Sequence, residues 1–129
     1  MKMCKSSKIA FLTVIAVFCV SSTVFGAYRG EIVSGQTKTG YEITGPAYED
    51  SLGFDGQTGY RVIISVEATS GALSPWIDLY PPDGGPVEAS SIFDTLDHQL
   101  EQSGTYTVVV HDSGYDDTGT YNVTFDNLQ

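Results

Sequence analysis

Residues 103–125 read SGTYTVVVHDSGYDDTGTYNVTF. One phrase occurs there twice, as Ser103-Gly104-Thr105-Tyr106-Thr107-Val108 and as Thr118-Gly119-Thr120-Tyr121-Asn122-Val123. In each copy a small polar residue and a glycine turn the chain, and an apolar run of period 2 follows. Tyr106, Val108 and Val110 fall on one face of the first run, and Tyr121, Val123 and Phe125 on one face of the second. Strict alternation of β-branched and aromatic residues predicts two half-buried strands. The Gly-, Asp- and Ser-rich connection from His111 to Thr118 predicts that they pair as an antiparallel hairpin.

The start of the chain has a different character. Lys2, Lys5 and Lys8 precede an apolar run from Ile9 to Val20, followed by a short polar segment. That order is a secretory signal peptide over residues 1–26, cleaved after Gly26 or Ala27. The apolar run is shorter than the roughly 20 residues a bilayer anchor needs, so no stable membrane insertion is expected. Cleavage removes Cys4 and Cys19, leaving neither a disulfide nor a thiolate metal site. In the remaining domain, residues 27–129, three basic residues (Arg29, Lys38, Arg61) face all 16 carboxylates, a net charge of −13. Such a surface repels nucleic acid and anionic membranes.

Outward from the repeated phrase, glycines interrupt almost every segment and no helical period is sustained. Gly30 to Ser34 and Tyr41 to Thr44 read as short strands separated by a polar GQTKTG turn. An acidic bend through Tyr48, Glu49 and Asp50 precedes a short strand at Leu52 and Phe54. Tyr60 to Ala68 is the clearest central strand, with Tyr60, Val62, Ile64 and Val66 on one face. Trp76 to Tyr80 is stopped by Pro81-Pro82, Pro86 to Ser90 reads as a weak edge strand, and Ile92 to Leu100 as a longer one. Seven to nine short strands predict an all-β, two-sheet antiparallel sandwich, jelly-roll-like, in one domain. With no crossover helices, a parallel α/β fold is excluded.

Asp50-Ser-Leu-Gly-Phe54, Gly59-Tyr-Arg-Val-Ile-Ile-Ser-Val66, Ile77-Asp-Leu-Tyr-Pro-Pro-Asp-Gly84 and the two copies of the repeated phrase resemble the bacterial pre-peptidase C-terminal domain. The resemblance runs from about Glu31 to Leu128. It implies a jelly-roll-like sandwich, usually appended to secreted hydrolases, that is not catalytic. Some members bind collagen or polysaccharide, and some bind calcium. The module is expected to follow the signal peptide directly, without a catalytic domain before it.

The residues themselves offer little for catalysis. Nucleophile, metalloprotease and phosphate-loop motifs are absent, and a sandwich of this size has little concave surface to seat a sugar between paired carboxylates. Of the two histidines, His98 points inward if Leu96 and Leu100 do, and His111 ends a strand. Two constellations favour binding instead. If Ile77 and Leu79 face the core, Trp76, Asp78 and Tyr80 share the outer face, where a sugar ring or protein side chain could stack and hydrogen-bond. The opposite register would bury Trp76. Asp112, Asp116 and Asp117 crowd one loop, and Glu49, Asp50 and Asp55 lie in earlier acidic bends. These are the candidate calcium ligands, the alternative being loops that only cap strands and keep the protein soluble.

The expectation is a monomeric, secreted module, extracellular, periplasmic or at the cell surface. It binds an extracellular polysaccharide, protein or secreted partner, with calcium as a candidate cofactor and none required. A calcium-stabilised cell-surface component is the alternative, and a small hydrolase the remaining one.

Overall fold

The computed structural model describes residues 25–45 and 48–129. Nine strands follow one another: β1 (Phe25–Glu31), β2 (Gln36–Ile43), β3 (Tyr48–Gly56), β4 (Arg61–Gly71), β5 (Pro75–Tyr80), β6 (Ala89–Ser91), β7 (Thr95–Gln99), β8 (Gly104–Asp112) and β9 (Gly119–Leu128). No helix interrupts them among the described residues. They form a five-stranded sheet, β1-β3-β8-β5-β6, stacked on a four-stranded one, β2-β9-β4-β7. The fold is the expected all-β sandwich. Most of the expected signal peptide, residues 1–24, lies outside the described residues, and the expected cleavage points fall within β1.

The chain changes sheet at every connection except β5 to β6. This corrects the hairpin expected at residues 103–125. β8 pairs with β3 and β5, β9 pairs with β2 and β4, and the two do not pair with each other. Alternation identifies the buried face of a strand but not its neighbour, and both strands face one core from opposite layers. The same arching makes β1 and β3 parallel, because two crossings through β2 return the chain in its original direction. Every other pair is antiparallel.

Several local expectations also change. The strand expected from Gly30 to Ser34 is instead β1, which begins earlier and ends at Glu31. The GQTKTG segment is largely strand: Thr37 lies opposite Thr124 in β9, and their hydroxyls meet at 3.0 Å. The turn is one step earlier, at Ser34 and Gly35. The acidic bend at residues 48–50 is the beginning of β3, where Asp50 continues the inward set of Leu52 and Phe54. The strand expected from Ile92 to Leu100 shrinks to β7, with Ile92 and Phe93 exposed in the turn before it.

The core is the set that alternation selects. Leu52 and Phe54 of β3, Ile77 and Leu79 of β5, and Tyr106, Val108 and Val110 of β8 face Val62, Ile64 and Val66 of β4 and Tyr121, Val123 and Phe125 of β9. The Phe54 ring lies 5.3 Å from that of Tyr106 and 4.6 Å from that of Phe125, tying β3 to its neighbour and to the opposite sheet. Each such buried side chain contributes about 1.5–3 kcal/mol. The core therefore fixes which residues face outward.

Candidate functional site

With Ile77 and Leu79 buried, Trp76, Asp78 and Tyr80 share the outer face of β5, the first of the two registers the sequence left open. The register sets Trp76 beside His111 of β8, and His111 beside Glu49 of β3. The Trp76 and His111 rings stack at 5.6 Å, and Tyr115 closes on His111 at 4.4 Å with its ring 6° from parallel. Tyr115 reaches that position because the loop after β8 turns left-handed, with φ of 86° at Gly114 and 55° at Tyr115.

Hydrogen bonds hold the stack. The Trp76 indole N–H donates to Asp78 Oδ1 at 2.9 Å, and the Ser90 hydroxyl donates to the same oxygen. Asp78 Oδ2 lies 3.3 Å from His111 Nε2, whose Nδ1 lies 2.9 Å from the Asp112 carbonyl oxygen. The Tyr115 hydroxyl donates to Glu49 Oε2. Burial, that hydrogen bond and the Glu49 charge push the Tyr115 phenol well above its ordinary range. Around the stack, Tyr80 is 37% exposed and Tyr115 41% exposed, while Trp76 is half-buried. Sequence reasoning did not place His111, Tyr115 or Glu49 here. His111 has the outward parity of β8, which was a usable signal; Tyr115 sits in an aperiodic loop and had none.

Ser90 donates to Asp78 Oδ1 rather than to a histidine nitrogen, so Asp78 lies between hydroxyl and imidazole, an order different from the nucleophile–histidine–acid sequence of a hydrolytic triad.

The six acidic candidates separate. Asp112, Asp116 and Asp117 come together, each offering a carboxylate oxygen within 4.8 Å of the others. Asp112 is buried, and its oxygens accept the backbone N–H groups of Ser74 (2.9 Å), Asp116 (3.0 Å) and Asp117 (2.9 Å). Burial works to raise the Asp112 carboxyl, but those amides outweigh it and hold the group below the ordinary carboxylate range. The exposed Asp116 moves the other way, raised by its bond to Asp112 and the charge of Asp117. Glu49, Asp50 and Asp55 do not join them. Glu49 is bonded to Tyr115, and the exposed Asp55 accepts from the Thr105 hydroxyl at 3.2 Å. Asp50 points into the sandwich, where Tyr121 donates to it and Arg29 Nε lies 3.1 Å away.

No family model and no curated protein matches the sequence. Solved structures do match. A periplasmic inhibitor of g-type lysozyme from Aeromonas hydrophila, PliG, aligns with a TM-score of 0.61 at 9% identity, over 79% of this chain and 98% of that one. The pre-peptidase C-terminal domain of the collagenase from Bacillus anthracis aligns with a TM-score of 0.57 at 15% identity, over 83% and 100%. A mutant of the Escherichia coli PliG aligns with a TM-score of 0.55 at 18% identity, over 79% and 98%. The chain shares their fold. The pre-peptidase C-terminal resemblance read from the strand motifs is thus matched in three dimensions, and the same sandwich also serves PliG. Among the described residues no helix is long and apolar enough to cross a membrane.

Proposed function

We propose that this chain is an exported, non-catalytic binding module that meets a positively charged extracellular protein or polymer through the outer face of its five-stranded sheet. The observation that carries this reading is the Trp76–His111–Tyr115 stack, continued by Tyr80 and flanked by Glu49 and Asp78, with Asp55 farther along the same face of β3. Aromatic rings on a rigid sheet supply contact area at small entropic cost, and the carboxylates around them select for cationic groups. The fold neighbours that are lysozyme inhibitors support a protein partner, and their periplasmic location supports export. A g-type lysozyme and collagen are the natural first probes. Tyr80→Ala and Tyr115→Ala should each weaken capture of the bound probe at least about tenfold, as loss of a central aromatic anchor does. Unchanged capture by both variants would remove this face as the contact.

A second reading, a calcium-stabilised cell-surface component, rests on the meeting of Asp112, Asp116 and Asp117. Oxygen-only ligands on a glycine-containing loop suit calcium. Millimolar calcium should then raise the melting temperature, and Asp116→Asn should abolish the rise. A melt indifferent to calcium and chelator ends this reading.

A further inference from the structure

A different group of side chains lies where the edges of the two sheets meet. Glu88 precedes β6 at the edge of the five-stranded sheet, and His98 belongs to β7 at the edge of the four-stranded one. His98 shares the inward parity of Leu96 and Leu100, but at this edge its side chain remains 20% exposed. Its Nε2 lies 2.9 Å from Glu88 Oε2. Glu88 is only 5% exposed and is held by the Tyr106 hydroxyl, 3.0 and 3.1 Å from its two oxygens, and by the Glu101 backbone N–H at 3.2 Å. Glu101 brings a second carboxylate, so that Glu88, His98 and Glu101 each offer one ligand atom within 4.8 Å of the others. Glu88 and Glu101 also line a cleft of about 270 Å³, together with Pro81, Asp83, Pro86 and Val87.

Charge at this edge is unbalanced. Two carboxylates converge on one imidazole, and a third, Asp83, lines the same cleft. The three basic residues of the described chain are engaged elsewhere: Arg29 with Asp50, Arg61 with Asp97, and Lys38 with the Arg29 carbonyl. We propose that Glu88, His98 and Glu101 bind one divalent transition-metal ion of the zinc type, with its remaining coordination position opening on the cleft. An imidazole with two carboxylates is a donor set for a borderline ion rather than for calcium, which takes oxygen alone.

The geometry needs little adjustment. Donors held at about 2.0–2.2 Å in a tetrahedron sit about 3.4 Å from one another. His98 and Glu88 therefore open by a few tenths of an ångström, and the exposed Glu101 side chain swings in. The Tyr106 hydroxyl fixes the Glu88 carboxylate, as a hydrogen-bonded outer group commonly does for a metal ligand. Three protein ligands and one open position would let an exogenous group bind the ion.

The test is calorimetric titration of the untagged protein with Zn²⁺, repeated on Glu101→Gln and His98→Gln. Glu101 is exposed, so its variant keeps the fold, and circular dichroism checks both. One equivalent of zinc should bind, with affinity at least about tenfold weaker in each variant. The His98 ring resonances should also shift in step with the first equivalent. No uptake by the unsubstituted protein, or unchanged affinity in either variant, overturns the assignment. A calcium response lost in Asp116→Asn but kept in Glu101→Gln belongs to the other cluster.

Discussion

The Tyr121 hydroxyl on β9 donates to Asp50 Oδ2 on β3 at 2.6 Å, a buried polar bond between the two sheets. Arg29 Nε lies 3.1 Å from the same oxygen, and Oδ1 has no partner among the described residues. A buried carboxylate this sparsely bonded depends on each donor it has. Tyr121→Phe keeps the ring and removes only the hydroxyl. It should lower unfolding free energy in urea by about 1.5–3 kcal/mol, the range for hydrogen bonds to charged groups. An unchanged midpoint would mean that Arg29 alone satisfies Asp50.

Asp50 also shows where the sequence was legible and where it was not. Alternation grouped Val62, Ile64 and Val66, then Tyr106, Val108 and Val110, then Tyr121, Val123 and Phe125 each on one face, and those faces form the core, because period 2 is a property of each strand by itself. For β5 it left open whether Ile77 and Leu79 or Trp76 faced inward. Asp50 has the parity of Leu52 and Phe54, yet its charge suggested a solvated bend. The partner that makes its burial tolerable, Tyr121, lies 71 residues away. Strand pairing was illegible for a related reason. A loop rich in Gly and Asp serves equally well to fold β9 back beside β8 or to carry it to the other sheet, and local sequence holds no record of which neighbour a strand meets. At the candidate binding face, the parity of β5 found Trp76, Asp78 and Tyr80. Tyr115 was out of reach because a left-handed turn, not a strand, delivers it to His111.

The glycine of the second repeated phrase sits where the chain crosses between layers. A Cβ on Gly119 would lie 2.2 Å from the Ser70 carbonyl oxygen and 2.9 Å from Leu73 Cβ, so backbone would have to move. Gly119→Ala should cost about 1–3 kcal/mol by overpacking. A control at Gly45, where nothing lies within 4 Å, should cost far less. Equal thermal shifts for the two variants would contradict the packing of β9 against β4.

Asp112 and Asp116 should respond oppositely to neutralisation. The Asp112 carboxyl is lower in the folded state than in the unfolded one, so its contribution is complete above the unfolded value. It is lost as pH falls through the folded value. Asp112→Asn should therefore destabilise by about 1.5–3 kcal/mol at pH 7, and the gap should narrow well below pH 4, the ordinary Asp value. Asp116 is raised by its acidic neighbours, so its ionised form opposes folding at neutral pH. Asp116→Asn should leave stability at pH 7 unchanged or increased. Urea melts across this pH range check both signs.

Trp76 is the only tryptophan in the chain, so its emission reports on the face that carries Glu49 and Asp78 beside it and Asp55 farther along β3. A cationic partner docking there should change Trp76 emission and displace acrylamide from it. Charge attraction is screened over about 8–10 Å at physiological salt. Association should therefore slow as sodium chloride rises, and Asp55→Asn, which removes an exposed charge without touching the stack, should slow it at low salt. Rim charges act mainly on the rate of encounter, so dissociation should change little. Tyr80→Ala should do the reverse, because lost aromatic contact is expressed mostly in the off-rate. Stopped-flow fluorescence separates the two effects. A partner that binds with salt-independent rates and silent Trp76 emission would have to dock somewhere other than this face.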